Sequence, residues 1–333
     1  MAASQAGDPH DETRDVRLPP HTPSAPQPTS VGAALPGAPV VVAHGGAGAA
    51  AELEDGCLHA VHAGAAALRN CLDAMSAAIA AVVALEADGR FNAGSGASIR
   101  LDGETVELDA AVMDSTGRLG AVAGLQHARH PVLVAQQVST TPHWLLVGAG
   151  AQAFAAQFSL TGNHVPSETA RKRHAERMAA LANTWRAAGE KAGPMQRFWN
   201  YAMPWEDAMK RWGSGTVGAV VRDADGRFAV ATSTGGSMPA LRGRVGDTPI
   251  VGCGFYAGPA GAVAATGIGE AIVRTLLAAT VYRWIEADVP LDEALARGIA
   301  RIPSDVDVGL IAVSASEAGG ASNHGMPWCQ GTP

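Results

Sequence analysis

The sequence predicts a chain that mixes helices with a mostly antiparallel sheet, of α/β or α+β class. Three observations carry this. Two apolar runs, Val217–Arg222 and Arg227–Thr232, flank Asp223-Ala-Asp-Gly226, which is a hairpin signal. Leu58–Ala87 is rich in alanine, with apolar residues at helical spacing, and predicts one long buried helix. Ile99–Leu101, Thr105–Met113 and Leu119–Leu125 are short apolar or alternating runs and predict the strands of a meander. The chain has 333 residues, 47% of them hydrophobic, enough to bury the core of one or two domains.

Taken in order, residues 1–38 carry Pro19, Pro20, Pro23, Pro26, Pro28 and Pro36 among Ser, Thr and Gly. Such a composition buries no core and predicts a disordered tail. Residues 1–15 are polar and acidic, without a basic start or an apolar stretch, so no secretory signal and a cytoplasmic location are expected. Val40–Ala43 is a short strand, followed by the glycine turn His44-Gly-Gly-Ala-Gly48. The turn lacks the GK[ST] of a phosphate loop. Glu86, Asp88 and the glycines after them end the long helix. Asp109 lies on the polar side of its strand's alternation, which predicts a solvated or hydrogen-bonded carboxylate.

Pro131–Val138 and Gly150–Phe158 read as helices. The second begins in VGAGAQA, a G-x-G-x-x-A pattern that would suit a dinucleotide. It stands mid-chain, however, and βαβ repeats do not follow it. Residues 160–212 are charged and carry Trp185, Trp199, Trp205 and Trp212. They read as helix and linker. Ala262–Thr266 is a strand, and Gly267-Ile-Gly269 opens a helix running to about Ala287. Leu291–Arg301 is a further helix and Val308–Ser314 a closing strand. The net charge of −7 argues against a nucleic-acid or anionic-membrane partner. No apolar run reaches the ~18–20 residues of a membrane span. The four cysteines (57, 71, 253 and 329) form no CxxC, so buried reduced thiols are expected rather than a Cys/His metal cluster.

The chemistry concentrates between Gly213 and Gly254. Thr216 stands at the first position of the hairpin, just after Gly213 and Gly215. A threonine hydroxyl needs a base. When threonine begins a chain its own α-amine serves, with a reference pKa of ~7.7–8.0. The Gly215–Thr216 bond would therefore have to be cut first, by an N-to-O acyl shift and hydrolysis. Glycine at 213 and 215 tolerates the strained backbone which that step needs. Read locally, other roles stay open. Thr216 suits any strand start, Thr234 a turn cap, and Arg244 with Asp247 a surface ion pair.

GTVGAVVRDADG, ATSTGG, GRVGDTPIVGCGFYA and ATGIGE, with VVVAHGGAG, LEADGRFNAGSG, ETVELDAAVMD, GAVAGLQHARHPVLVA and TPHWLLVGAGAQAFA before them, resemble the plant-type L-asparaginase / isoaspartyl aminopeptidase family of N-terminal nucleophile (Ntn) hydrolases. The segments follow family order over roughly residues 38–330, which is far more specific than any single motif. The resemblance implies a four-layer αββα sandwich in one domain, residues 39–333. It implies self-cleavage into an α subunit (1–215) and a β subunit (216–333), paired as an (αβ)2 dimer of heterodimers. It implies hydrolysis of an asparagine or β-aspartyl amide with no redox cofactor.

In that scheme Thr216 is the nucleophile and Thr234 holds it by a hydrogen bond. Thr266 and Gly267 form the oxyanion hole. Arg244 clamps the substrate α-carboxylate and Asp247 its α-ammonium, with Val245, Gly246 and Gly269 beside them. The HGG loop approaches the nucleophile. Asn92 resembles a residue near it, although an Asn before Gly is equally a turn former. A sodium ion would be held by backbone carbonyls of Leu85, Glu86, Asp88, Phe91, Ala93 and Ser95, the oxygen donors that hard cations take. The chain departs from the family at Ala240, where a Lys is usual. It departs again between Tyr256 and Thr266, one residue short, and in SNHGMPWC near its end. A glycosylasparaginase tends to have Asp before the Thr and TGDGD later, where this chain has Gly215 and TGIGE. A taspase-like endopeptidase and an uncleaved, non-catalytic binding protein are the remaining alternatives.

Overall fold

A computed structural model of the chain describes residues 30–33, 37–70, 73–100, 103–162, 165–187, 215–237 and 240–333. It is an α+β protein. A seven-stranded sheet has the order β12-β2-β6-β7-β3-β4-β5 and a five-stranded sheet the order β1-β11-β10-β9-β8. In the first sheet the strands are β2 (Val40–His44), β3 (Leu108–Asp114), β4 (Leu119–Leu125), β5 (Leu145–Val147), β6 (Val217–Arg222), β7 (Phe228–Thr234) and β12 (Trp328–Gly331). The second holds β1 (Ser30–Ala33), β8 (Phe255–Gly258), β9 (Gly261–Gly267), β10 (Val308–Ser314) and β11 (Glu317–Ser322). Every pairing is antiparallel except β4 with β5.

The strands are apolar on both faces because both faces are buried. Alternate residues along β2 and β6 go to different cores. Val41, Ala43, Val217 and Val221 pack with Ala77, Ala81, Val82 and Leu85 of the helix α2 (Ala74–Asp88). Beside it, α1 (Glu54–Arg69) and α3 (Pro131–Val138) join the same core. Val42 and Val220 turn the other way, onto Phe255, Ala264, Ile311 and Val313 of the second sheet. Val263 and Leu310 in turn meet Leu277, Val281 and Leu295, from α7 (Leu277–Glu286) and α8 (Leu291–Ile299).

The expected helices, strands and the hairpin at Asp223–Gly226 are present, with four differences. The long helix at 58–87 is two helices, since Asp73 accepts the Ser76 amide at 2.8 Å and starts α2 afresh. The helix expected from Gly269 to Ala287 is also two, α6 (Gly269–Thr275) and α7. Thr275 Oγ1 donates to the Ala271 and Ile272 carbonyls, a back-bond that bends helices, and Leu276 then takes φ +47°. That left-handed turn exposes Leu276 and buries Leu277. The tail is not wholly without structure, because Ser30–Ala33 adds a strand to the open edge of β11. The expected strand at 105–113 begins only at Leu108, and Ile99 meets Val106 in a single bridge. The strands β5, β8, β11 and β12 are too short or too glycine-rich to show as periodic runs. The helices α4 (Gly148–Gln157) and α5 (Glu168–Ala187) close the set. The linker tryptophans Trp199, Trp205 and Trp212, and Cys71, lie outside the described residues. Cys57, Cys253 and Cys329 are free thiols. Among the described residues no helix is long and apolar enough to cross a membrane.

Candidate active site

The site forms where β2, β6, β7 and β9 end together. His44, the last residue of β2, pairs with Gly218 of β6, which sets the glycine turn beside Thr216. Gly46 has φ +110°. A Cβ there would lie 2.7 Å from the Gly215 Cα and 3.2 Å from the Thr216 nitrogen. Only glycine lets this loop rest on the Gly215–Thr216 peptide. His44 itself is fully buried with neither ring nitrogen bonded, and burial pushes its pKa down to about 3. It is a neutral imidazole at pH 7.

Three hydroxyls surround the peptide. Thr266, at the end of β9, accepts the Thr216 N–H at 3.0 Å and the Ala47 N–H at 3.2 Å. With both lone pairs taken, its own O–H is what it offers a third group. Thr234, at the end of β7, accepts the Gly236 N–H at 3.0 Å and donates to the Gly215 carbonyl at 3.4 Å. In this uncut chain the one donor of Thr234 thus goes to the carbonyl that precedes Thr216, and not to Thr216 itself. Thr248 is the third. Its Oγ1 lies 3.1 Å from Thr216 Oγ1, and Thr232 Oγ1 donates to its carbonyl at 3.2 Å. Sequence reasoning passed over Thr248. The signal was the T of GDTP, immediately after Asp247. Thr248→Val is expected to slow self-cleavage and turnover roughly 100–1000-fold, the range for one positioned hydrogen bond at a reacting group. Thr248→Ser should stay near wild type. The uncleaved fraction over time on a denaturing gel checks this.

Arg244 and Asp247 are not a surface pair. Arg244 binds Glu270 through a fork, Nε to Oε1 at 3.0 Å and Nη2 to Oε2 at 2.9 Å, and Asp247 is 3% exposed. Asp247 Oδ2 is buried without a hydrogen-bond partner. A Cβ on Gly269 would sit 2.8 Å from Asp247 Oδ1 and 2.9 Å from Arg244 Nη2. On Gly246 it would sit 2.7 Å from Arg244 Nη1. The two glycines thus clear a niche walled by a guanidinium and a carboxylate. Burial pushes the Asp247 carboxyl up to about 7, with Glu270 and Asp109 adding repulsion and Arg244 partly offsetting it.

Asp109 stands across the ladder from Thr234 and is fully buried. Its strand alternates regularly, but the face it takes is packed against the second sheet, so it is hydrogen-bonded, to the Gly124 amide at 2.9 Å, and not solvated. Burial raises it to about 6. Val245 is exposed and lines a separate cavity of about 580 Å³ with Glu107, Gly124 and Gln152, whose walls include none of the three threonines. Gly267 takes φ +141° beside Thr266. Asn92 is a latch. It donates to the Gly236 carbonyl at 2.6 Å and accepts from the Ser98 amide and hydroxyl at 2.8 and 2.9 Å, which fixes the segment after Thr234.

The loop after α2 is folded around its carbonyls. A Cβ on Gly96 would lie 2.0 Å from the Phe91 oxygen and 2.6 Å from the Gly89 oxygen, and one on Gly94 2.5 Å from the Glu86 oxygen. The carboxylate of Glu86 is engaged by the Val132 amide and His130, and that of Asp88 by Arg90. The donors left are main-chain oxygens, of the class a hard cation takes. Ser95 Oγ already donates to Glu86 O at 3.0 Å, and the Ala93 oxygen accepts from Gly96 at 3.0 Å. Among the described residues no three His, Cys, Asp or Glu side chains converge as metal ligands.

Fold and site together define an α+β protein with a buried threonine behind a glycine loop, ringed by hydroxyls and flanked by an Arg/Asp niche. The family model described as Asparaginase matches residues 37–331, and the chain belongs to that family. It is 41% identical over 260 residues to the isoaspartyl peptidase of Salmonella typhimurium, covering 74% of this chain and 79% of that one. It is 37% identical over 305 residues to the human isoaspartyl peptidase/L-asparaginase, 87% and 92% of the two chains. It is 37% identical over 246 residues to the plant-type L-asparaginase of Pyrobaculum calidifontis, 71% and 76%.

Proposed function

We propose that the chain is an N-terminal-threonine amidohydrolase that releases L-aspartate from asparagine and from β-aspartyl dipeptides. The observation that carries this is the Gly215–Thr216 peptide itself, pressed by Gly46 and bonded on its carbonyl by Thr234 and on its amide by Thr266. Maturation begins when Thr216 Oγ attacks the Gly215 carbonyl. Thr234 stabilises the oxyanion, the C–N bond breaks as the hydroxyl proton passes to the leaving nitrogen, and water hydrolyses the resulting ester to the Gly215 carboxylate and the free Thr216 hydroxyl. Residues 1–215 and 216–333 become the two subunits, which assemble as (αβ)2. Helices packed on the outer faces of two stacked sheets support a four-layer αββα sandwich.

In turnover the freed amine takes the Thr216 hydroxyl proton as Oγ attacks the substrate's side-chain carbonyl. The Thr266 O–H and the Gly267 N–H stabilise the oxyanion. One such donor contributes ~3–4 kcal/mol in a dry site. The amine then protonates the departing ammonia or amino acid, and water resolves the acyl-enzyme. The niche reads the other end of the substrate. Asp247 takes the α-ammonium, and the guanidinium edge not held by Glu270 takes the α-carboxylate. Thr248 touches the nucleophile and directly follows Asp247, which ties the niche to the reacting bond. Backbone carbonyls of Leu85, Glu86, Asp88, Phe91, Ala93 and Ser95 would hold a sodium ion, which would stiffen the loop and take no part in the chemistry. The free cysteines fit a reducing cytoplasm.

The test offers matured protein asparagine, β-aspartyl-leucine and N-acetylglucosaminyl-asparagine, and follows released aspartate. The first two should be hydrolysed, the third at under about a hundredth of their rate, since a pocket can reject a bulky competitor by more than 100-fold. Preference for the glycosylated substrate would overturn the reading in favour of a glycosylasparaginase.

The acidic limb of the pH profile should show two groups. Asp247 must be ionised to hold an ammonium, and its carboxyl stands at about 7. As pH falls through 7 it gains a proton, loses its charge and KM rises. The Thr216 amine protonates in the same region. Log kcat/KM should therefore fall with a slope approaching two below pH 7, because it reports the free enzyme. Asp247→Asn should reduce that slope to one. An unchanged slope would remove Asp247 from the substrate site.

A further inference from the structure

We propose that Arg100 is a positioning residue for Arg244, fixing the substrate clamp from the inside of the fold. Arg100 is 1% exposed, one of the largest side chains wholly inside the protein. Its Nε donates to Glu107 Oε2 at 3.0 Å. Its Nη2 donates to the main-chain carbonyl of Arg244 at 3.2 Å. Its Nη1 has no hydrogen-bond partner and lies where a Cβ on Gly236 would meet it at 2.8 Å. Glu107 Oε2 also accepts the Gly243 amide at 2.7 Å. One buried ion pair therefore grips both ends of the segment 236–244, by packing at Gly236 and by hydrogen bonds at Gly243 and Arg244.

A buried guanidinium is a poor choice for filling volume, because its desolvation opposes the gain from its partner. Burial lowers its pKa accordingly. What an arginine supplies there and an apolar residue does not is a rigid planar fork with fixed donor directions. Here one donor is spent on the backbone of the residue whose side chain walls the niche. The segment bends at Gly236 and Gly243, with φ of +76° and +82°. The Arg100–Glu107 pair holds the chain at these two points, at Gly236 and at Gly243–Arg244. The hydrogen bonds of Arg100 and Glu107 go to the 243–244 backbone and to each other, and none goes to Gly215, Thr216, Thr234 or Thr266, so the effect should fall on recognition and not on bond-making.

This inference rests on Arg244 as the α-carboxylate clamp, and the experiment separates the two. Matured wild type, Arg100→Met, Arg100→Lys, Glu107→Gln and Arg244→Lys are compared on asparagine and on 3-aminopropanamide, which is asparagine without its α-carboxylate. Arg100→Met should self-cleave completely and raise KM for asparagine about 30-fold with kcat within threefold. Its rate on 3-aminopropanamide should stay within threefold. Arg100→Lys should raise the asparagine KM about 10-fold, since a lysine keeps the charge but not the fork. Equal losses on both substrates, or an unchanged KM, would overturn the inference. If Arg100→Met does not fold, Glu107→Gln and Arg100→Lys decide it. A raised asparagine KM with 3-aminopropanamide unaffected supports the role, and unchanged kinetics in both sinks it. If Arg244→Lys leaves the preference for asparagine over 3-aminopropanamide intact, the clamp reading itself fails. If that preference collapses in Arg244→Lys but survives in Arg100→Met, only the role of Arg100 does.

Discussion

Thr216→Ala should give a single intact chain with almost no amidase activity, where the wild type should give fragments 1–215 and 216–333. Both effects trace to one oxygen. Thr216 directly follows the Gly215 carbonyl and is 3% exposed, and its Oγ lies 3.1 Å from Thr248 Oγ1. Removing it takes away the attack that cuts the backbone. It also takes away the attack on substrate, and without the cut no α-amine is freed to act as base. The losses are not additive, since residues that act as a unit fail together, so the residual rate should be at least ~10⁴-fold down. Thr216→Ser keeps the hydroxyl and should cleave, more slowly, because the threonine methyl that limits χ1 to one well is gone. Intact-mass spectrometry of the three proteins reads the result directly. Cleavage at 215/216 in the alanine variant would mean that another group attacks, and would displace Thr216 from the centre of the mechanism.

What the sequence revealed depends on whether a residue's role is local. The hairpin at Asp223–Gly226 and the strand ending in Thr266 were legible because strand periodicity and turn chemistry act over a few residues. The glycine turn at 45–46 was legible as a turn. That Gly46 rests on Gly215 follows only from the pairing of β2 with β6. Helix breaks were missed because alanine-rich stretches keep their periodicity through a short interruption. The break before α2 lies in the one side-chain cap of Asp73, and that before α7 in a left-handed Leu276. The tail strand Ser30–Ala33 exists because β11 offers an open edge, a partner 284 or more residues away that no local pattern announces.

The site shows the same division. Arg244, Asp247 and Thr266 were found through the family's strings. Thr248 was missed although it sits in one of them, because GDTP was read as a loop around Asp247 and its threonine was given no direction. Glu270 was quoted in TGIGE without a role, and its fork to Arg244 emerges only when α6 is set beside the GRVGD loop. Asp109 was placed by simple alternation on the polar side. The alternation holds, with Leu108, Ala110 and Val112 in one core, but the opposite face is covered by the second sheet and is no more solvated than the first. Arg100 lies inside the expected strand Ile99–Leu101, where nothing singled it out. It is a core residue because Glu107 and the Arg244 carbonyl are both within its reach.

Arg244→Lys should separate the two reactions of the chain: self-cleavage complete, hydrolysis of asparagine and β-aspartyl dipeptides down about 100- to 1000-fold in kcat/KM. The cleavage half follows from contacts, since Arg244 touches neither Gly215 nor Thr216. The hydrolysis half follows from geometry. Arg244 uses Nε and Nη2 on Glu270, which orients the plane of the guanidinium and leaves the Nη1 edge beside Gly246. A lysine brings a point charge without a plane. It cannot hold Glu270 by a fork and present a second edge in a fixed direction. Glu270 then competes with the substrate for the one ammonium. A loss of two to three decades corresponds to ~3–4 kcal/mol at 1.36 kcal/mol per decade, within the range for truncating one partner of a buried charged pair. The loss should be mainly in KM, because the carboxylate is bound equally before and during the reaction. Adding Glu270→Gln to Arg244→Lys should restore part of the affinity, since it removes the competing charge. Unchanged kinetics in Arg244→Lys would mean that the substrate's α-carboxylate is read elsewhere and that the Arg244–Glu270 pair serves the fold alone.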